Sequence, residues 1–224
     1  MKKTTSLVSA IVLMIAVLTS CPSFGQMKTG SKKTTSVASA AMLRTNMRKL
    51  WEDHVTWTRN VILCLVDELP GTDQAVKRLL QNQVDIGNAI KPYYGEDAGN
   101  KLTKLLKAHI NISADVVNAA EAGNTDALNK ANKSWYSNAD EISEFLCKAN
   151  PKWALAEMKM MMNDHLKLTT NEAVQRIKKN YDADVIAYDK VHNEILEMSD
   201  MLADGIIKQF PEKFKPSTTT KSSK

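Results

Sequence analysis

Apolar residues recur along the chain at intervals of three and four positions, as on one face of an α-helix, and no stretch alternates with the period of a strand. Turn signals rich in Pro, Gly and Asn divide this pattern into six segments. The pattern predicts an all-α fold, an up-and-down bundle of three antiparallel helical hairpins. We expect one domain over residues 41–211, with hairpins at residues 41–92, 96–150 and 152–211.

The first helix of each predicted hairpin contains the same short order of residue types: His, apolar, polar, apolar, hydroxyl. These stretches begin at His54, His109 and His165, which are 55 and 56 residues apart. A nearly fixed period predicts that the chain contains three related units of about 55 residues.

Every predicted helix carries a polar residue on the seam that faces its partner helix, where apolar residues are expected. In antiparallel hairpins these residues fall at similar depth, so we expect one polar belt across the bundle. Hydroxyl and carboxyl groups one helical turn away share the same face. The expected belt consists of His54, Thr58, Asn82, His109, Ser113, Asn138, His165, Thr169, Asp189 and His192.

Three interpretations of this belt follow from its chemistry. Hydrogen bonding between the seam residues fixes the register of similar hairpins and requires no ligand. A transition metal is the alternative, with His54, His109, His165 and His192 as candidate ligands, although the Glu-x-x-His pattern of di-iron bundles is absent. The belt can also line a pocket for a neutral polar ligand, with the four tryptophans as walls: Trp51, Trp57, Trp135 and Trp153.

The sequence contains no Gly-rich phosphate loop, nucleophile elbow or Cys-His-Asn arrangement, so no catalytic residue and no cofactor are predicted. Acidic residues of the last helix, among them Asp184 and Glu194, are typical of a solvated face. No Lys/Arg stripe follows a helix, which disfavours nucleic acid as a partner. Cys64 and Cys147 can pair only if their backbones come close, and the sequence leaves this open.

The two ends of the chain differ from the body in composition. Residues 1–25 have the basic start and apolar run of a signal peptide, or of a lipoprotein signal that ends before Cys21. Residues 26–40 form a Ser/Thr/Lys-rich linker and residues 212–224 a basic tail, whereas the body is mildly acidic. These features predict export to the periplasm or cell envelope, with the membrane surface as a partner through a lipid anchor or the basic tails.

Four stretches together resemble an uncharacterised bacterial family of all-helical proteins over roughly residues 43–214: residues 50–59 (LWEDHVTWTR), 81–95 (QNQVDIGNAIKPYYG), 133–142 (KSWYSNADEI) and 200–211 (DMLADGIIKQFP). Some members carry automatic labels as acetylglutamate kinase or glycosyltransferase. Both activities belong to α/β enzymes with nucleotide-binding loops, which this sequence lacks. The resemblance implies a helical body and brings no catalytic residue. The expected function is therefore a non-catalytic binding or structural module, with an unknown protein or small molecule as its partner.

Overall fold

The computed structural model describes residues 37–215, which form six α-helices and a short 3-10 helix without any β-strand. The predicted all-α fold is confirmed. The elements are α1 (Val37–Val66), α2 (Thr72–Tyr94), α3 (Glu96–Glu121), α4 (Thr125–Ala149), α5 (Leu155–Ile177), α6 (Tyr181–Gln209) and the 3-10 helix (Pro211–Phe214). The expected signal segment with Cys21, most of the linker and the end of the basic tail lie outside the described residues.

The six helices form a closed ring of neighbours. Each helix packs against the next one along the chain, and α6 packs back against α1. The first helices of the three hairpins, α1, α3 and α5, also contact one another, so they lie on the inside of the ring. Side chains from all three hairpins can therefore meet in the interior.

The three hairpin turns end the first helices in the same way. Glu68, Gly123 and Lys179 follow α1, α3 and α5 with φ values of 50°, 62° and 56°. The next residue in each turn donates its N–H to a carbonyl five residues earlier, at 3.0 Å in all three. Asn124 and Asn180 then cap α4 and α6 with their side chains. The turns thus place the two helices of each hairpin in comparable register.

Helix α2 continues beyond the proline at which the sequence pattern predicted its end. Pro92 lies inside the helix, which ends at Tyr94 and is followed by Gly95 at φ 86°. A proline so close to the end of a helix removes a single backbone hydrogen bond. The rings of Tyr93 and Tyr94 pack on Phe210, with centroid distances of 5.9 and 5.4 Å, and this packing offsets the loss.

The apolar core is unevenly distributed along the bundle. The main cluster fills the half remote from the hairpin turns and includes the fully buried Met47, Ile142, Leu166 and Ile206. The half next to the turns holds only two small clusters, built around residues such as Val61 and Ala173. The bundle is therefore less densely filled on its turn side.

Candidate functional site

Three of the predicted belt histidines meet in the interior. His54, His109 and His165 are 4%, 4% and 5% exposed and project from the inner helices α1, α3 and α5. The rings of His54 and His165 lie 5.8 Å apart. Burial lowers the pKa of His109 to about 4, and burial together with the neighbouring histidines holds the pKa of His54 well below its ordinary range. At neutral pH both of these imidazoles are uncharged.

In the second hairpin the seam histidine and the seam asparagine are in hydrogen-bond contact. His109 Nδ1 lies 2.8 Å from Asn138 Oδ1. The Asn138 amide nitrogen donates to the carbonyl of Leu105 at 3.3 Å, so its oxygen is left to accept the imidazole N–H. The indole of Trp135 packs against the imidazole, with the ring centroids 5.3 Å apart. This histidine is held by its own hairpin.

In the second hairpin Asn138 contacts both the histidine and a backbone carbonyl of α3. In the first hairpin these two contacts are made by two neighbouring residues, Gln83 and Asn82. Asn82 donates to the carbonyl of Leu50 at 2.9 Å, and its side-chain oxygen accepts from the amide nitrogen of Gln83 at 3.1 Å. The amide nitrogen of Gln83, the next residue, lies 3.2 Å from His54 Nδ1. The sequence pattern selected Asn82 for the belt and missed Gln83, which is fully buried. The sequence feature that could have indicated Gln83 is a second side-chain amide directly after the seam residue Asn82.

In the third hairpin a carboxylate replaces the amide. His165 Nδ1 donates to Glu194 Oε2 at 2.8 Å, although the sequence pattern placed Glu194 on a solvated face. His54–Gln83, His109–Asn138 and His165–Glu194 are each separated by 29 residues. Because the three turns have the same backbone form, this equal separation places each histidine opposite its partner in the same way.

The structure does not bring His192 and Asp189 into the interior. His192 is half-buried at the edge between α6 and α1, where its Nε2 lies 3.0 Å from Glu52 Oε1. Asp189 is exposed. Successive residues of a helix are rotated by about 100°, so with Glu194 facing inward His192 points away from His165. The expected belt therefore loses these two members and gains Gln83 and Glu194.

The hydroxyls that follow the buried histidines by one turn border a cavity. Thr58, Ser113 and Thr169 line an apolar space of about 120 Å³ on the turn side of the histidines. Helices α1 to α5 contribute its walls, which are mostly aliphatic and include no charged side chain. Of the four tryptophans that were expected as pocket walls, only Trp135 lines this cavity. Half-buried residues such as Leu128 and Ile177 border its outer part.

A charged cluster beside the cavity was not predicted from the sequence. Arg59 of α1 donates to Glu172 and Asp184, each at 2.8 Å, and both carboxylates are almost fully buried. Arg176 bridges Asp184 and Asp67. Burial raises the pKa of Glu172 to about 7, against the opposing effect of Arg59. Asp184 was expected on a solvated face, but the inward rotation of α6 buries it under two arginines.

No three His, Cys, Asp or Glu side chains between residues 37 and 215 are arranged to hold a metal ion. A metal role for His54, His109, His165 and His192 stays a prediction that elemental analysis of the purified protein tests. Within residues 37–215, Cys64 and Cys147 are free thiols and form no disulfide with each other. None of the described helices has the length and apolar content that crossing a membrane requires.

Comparisons with models of protein families, with curated proteins and with solved structures gave no match to this chain. The resemblance to a bacterial family of helical proteins therefore stays a prediction. Over residues 37–215 the chain is an all-α bundle of six helices with a buried histidine layer beside an apolar cavity.

Proposed function

We propose that this protein is a non-catalytic binding module that takes up a small neutral ligand in the cavity on the turn side of the histidines. The cavity itself carries this proposal. A cavity of about 120 Å³ with mostly aliphatic walls offers apolar surface that a ligand of matching size would bury. Bundles place ligand sites between facing helices, and apolar cavities of about 150 Å³ accept molecules of the size of benzene.

The hydrogen bonds of the histidines support a positioning role for them. Each of the three buried imidazoles contacts a polar residue of its own hairpin, and none has a serine, threonine or cysteine side chain as its hydrogen-bond partner. Hydrogen-bonded polar residues on a helix seam favour one register over its alternatives. In this proposal the histidines fix the register of α1, α3 and α5, and this register maintains the cavity.

The test is the binding of toluene to the purified full chain, followed by thermal unfolding and by calorimetric titration. We expect toluene to raise the melting temperature, because a ligand that binds only the folded state stabilises it. Ala114→Leu places a larger side chain on the cavity wall and should abolish the rise. Ala108→Leu is the matched control, since Ala108 is also a half-buried alanine of α3 but does not line the cavity.

Two results would contradict the proposal. The first is a melting temperature of the parent chain that does not respond to toluene. The second is an equal response in the two leucine variants, which would place the toluene elsewhere.

Export to the cell envelope belongs to the same proposal and is supported by the sequence before residue 26. Lys2 and Lys3 precede an apolar run that ends near the two alternative processing sites. The mass of the mature chain from cell fractions distinguishes them. Processing before Cys21 adds lipid to that residue, processing before Gln26 gives an unmodified chain, and an uncleaved cytoplasmic chain would contradict export.

A further inference from the structure

The three hydroxyls at the inner end of the cavity differ in their hydrogen bonding. Thr58 donates to the carbonyl of His54 at 2.8 Å, and Ser113 donates to the carbonyl of Ile110 at 2.8 Å. Thr169 occupies the corresponding position of the third hairpin, is 6% exposed, and its hydroxyl has no hydrogen-bond partner. A buried hydroxyl without a partner destabilises the fold, so this group is available to a ligand.

A second polar group on the cavity wall also lacks a partner. The side chain of Trp135 lines the cavity and is 3% exposed, and its indole Nε1–H makes no hydrogen bond. An indole N–H can only donate, whereas a threonine hydroxyl can donate and accept. A ligand that satisfies both groups must offer an acceptor, and a neutral oxygen atom meets this requirement.

The charge of the lining restricts the ligand further. No charged side chain lines the cavity, so an ionised ligand would lose its hydration without gaining an ion pair. The space of about 120 Å³ is close to that of one six-membered ring. An apolar body of this size with one oxygen atom matches the aliphatic walls and the two buried polar groups that lack a partner, while the half-buried or exposed Asn111, Asn132 and Thr170 also line the cavity.

We propose that the cavity binds a small neutral oxygenated hydrocarbon, such as an alcohol or a ketone, whose oxygen is held by Thr169 and Trp135. This inference rests on the proposed function and specifies its ligand class. Thr169 positions the oxygen, while the apolar body fills the space towards the half-buried side chains of α4 and α5. If a water molecule bonded the Thr169 hydroxyl instead, the cavity would bind oxygenated and oxygen-free ligands of the same size equally well.

The experiment compares toluene and phenol, which differ in one methyl or hydroxyl group and have the same number of non-hydrogen atoms. Affinities for both are measured by calorimetric titration on the full chain, on Thr169→Val and on Thr58→Val. The ratio of the two affinities is compared between variants, because the different hydration of the two probes then cancels. Thr58→Val is the matched control, since the Thr58 hydroxyl is already bonded to the backbone.

We expect Thr169→Val to shift the ratio towards toluene by about five- to tenfold, which corresponds to the loss of one hydrogen bond. Thr58→Val should leave the ratio within about twofold of the parent, and Trp135→Phe should shift it in the same direction as Thr169→Val. Toluene binding that is unaffected by Thr169→Val, together with an unchanged ratio, would overturn this inference and leave the proposed function standing. Failure of both probes to bind the parent chain would overturn both proposals.

Discussion

Two residues other than glycine adopt the left-handed conformation at the ends of inner helices. Glu68 has φ 50° and Lys179 has φ 56°, whereas the third turn has Gly123 at φ 62°. A side chain with a Cβ atom is disfavoured in this region by about 1–2 kcal/mol, but glycine is not. The first and third turns therefore carry local strain that the second turn avoids.

Replacing Lys179 by glycine should raise the free energy of unfolding by about 1 kcal/mol, because the strain disappears while the backbone keeps its hydrogen bonds. Urea unfolding at neutral pH measures the change. Lys179→Ala removes the same charge but keeps a Cβ atom, so it should have little effect. Gly123→Lys should lower stability by a similar amount, and equal stability of all three variants with the parent would refute the argument.

The elements α2 and α3 are held in unusually close contact by two glycines. A Cβ atom added to Gly99 would lie 2.6 Å from the carbonyl oxygen of Gly87, and one added to Gly87 would lie 2.6 Å from that of Gly99. Because the obstacle is backbone, neither helix can yield without moving as a whole. This contact fixes the distance between the first and second hairpins, and with it the position of α3 beside the cavity.

Gly99→Ala should destabilise the bundle, although alanine is favoured over glycine within a helix by about 1 kcal/mol. Forced separation of packed elements costs about 1–3 kcal/mol, and here we expect this cost to exceed the helical gain. Chemical unfolding of Gly99→Ala beside Asn100→Ala provides the comparison. Asn100 is the exposed neighbour on α3, so its replacement should leave stability unchanged or raise it. A more stable Gly99→Ala would show that α2 and α3 separate freely.

At the scale of the whole molecule, α1 and α6 close the ring through both charged and apolar groups. Arg44 and Arg48 of α1 pair with Asp204 and Asp200 of α6 on the exposed side. Exposed pairs contribute little, so the apolar residues beneath them and the buried Arg59–Asp184 pair close the ring. The stability of the whole bundle should therefore depend on pH mainly through its buried groups.

The buried histidines should make the bundle less stable as the pH falls from 6.5 towards 4. The pKa of His109 is lowered from 6.5 to about 4, so over this interval the unfolded chain binds a proton that the folded chain does not. The shift corresponds to about 3 kcal/mol for His109, and His54 acts in the same direction. Glu172 acts in the opposite direction, because its raised pKa lets the folded chain bind a proton as the pH falls from about 7 to 4.5.

Urea unfolding across this pH range on the parent chain, His109→Gln and Glu172→Gln separates the two effects. His109→Gln should lose less stability on acidification than the parent, while Glu172→Gln should lose more. Parallel curves for the three proteins would mean that these groups titrate alike in the folded and unfolded chains.

The class of fold and the three buried histidines could be predicted from the sequence alone. The three-to-four spacing of apolar residues, together with turn signals, was sufficient for six helices, since both depend on local geometry. The burial of His54, His109 and His165 followed from their seam positions, and so did the similar depth of His109 and Asn138.

The partners of the other two buried histidines depend on how the helices are rotated within the bundle, which the sequence pattern does not specify. Asn82 and Gln83 lie about 100° apart around α2, as any neighbouring helical residues do, so the sequence pattern does not show that the Gln83 amide lies beside His54 Nδ1. Residues of α6 are likewise spread around the helix axis. In the orientation that α6 adopts, His192 faces outward, while Glu194 and Asp184 face inward. The cavity, too, arises from the relative placement of five helices, which no periodicity along one chain segment encodes.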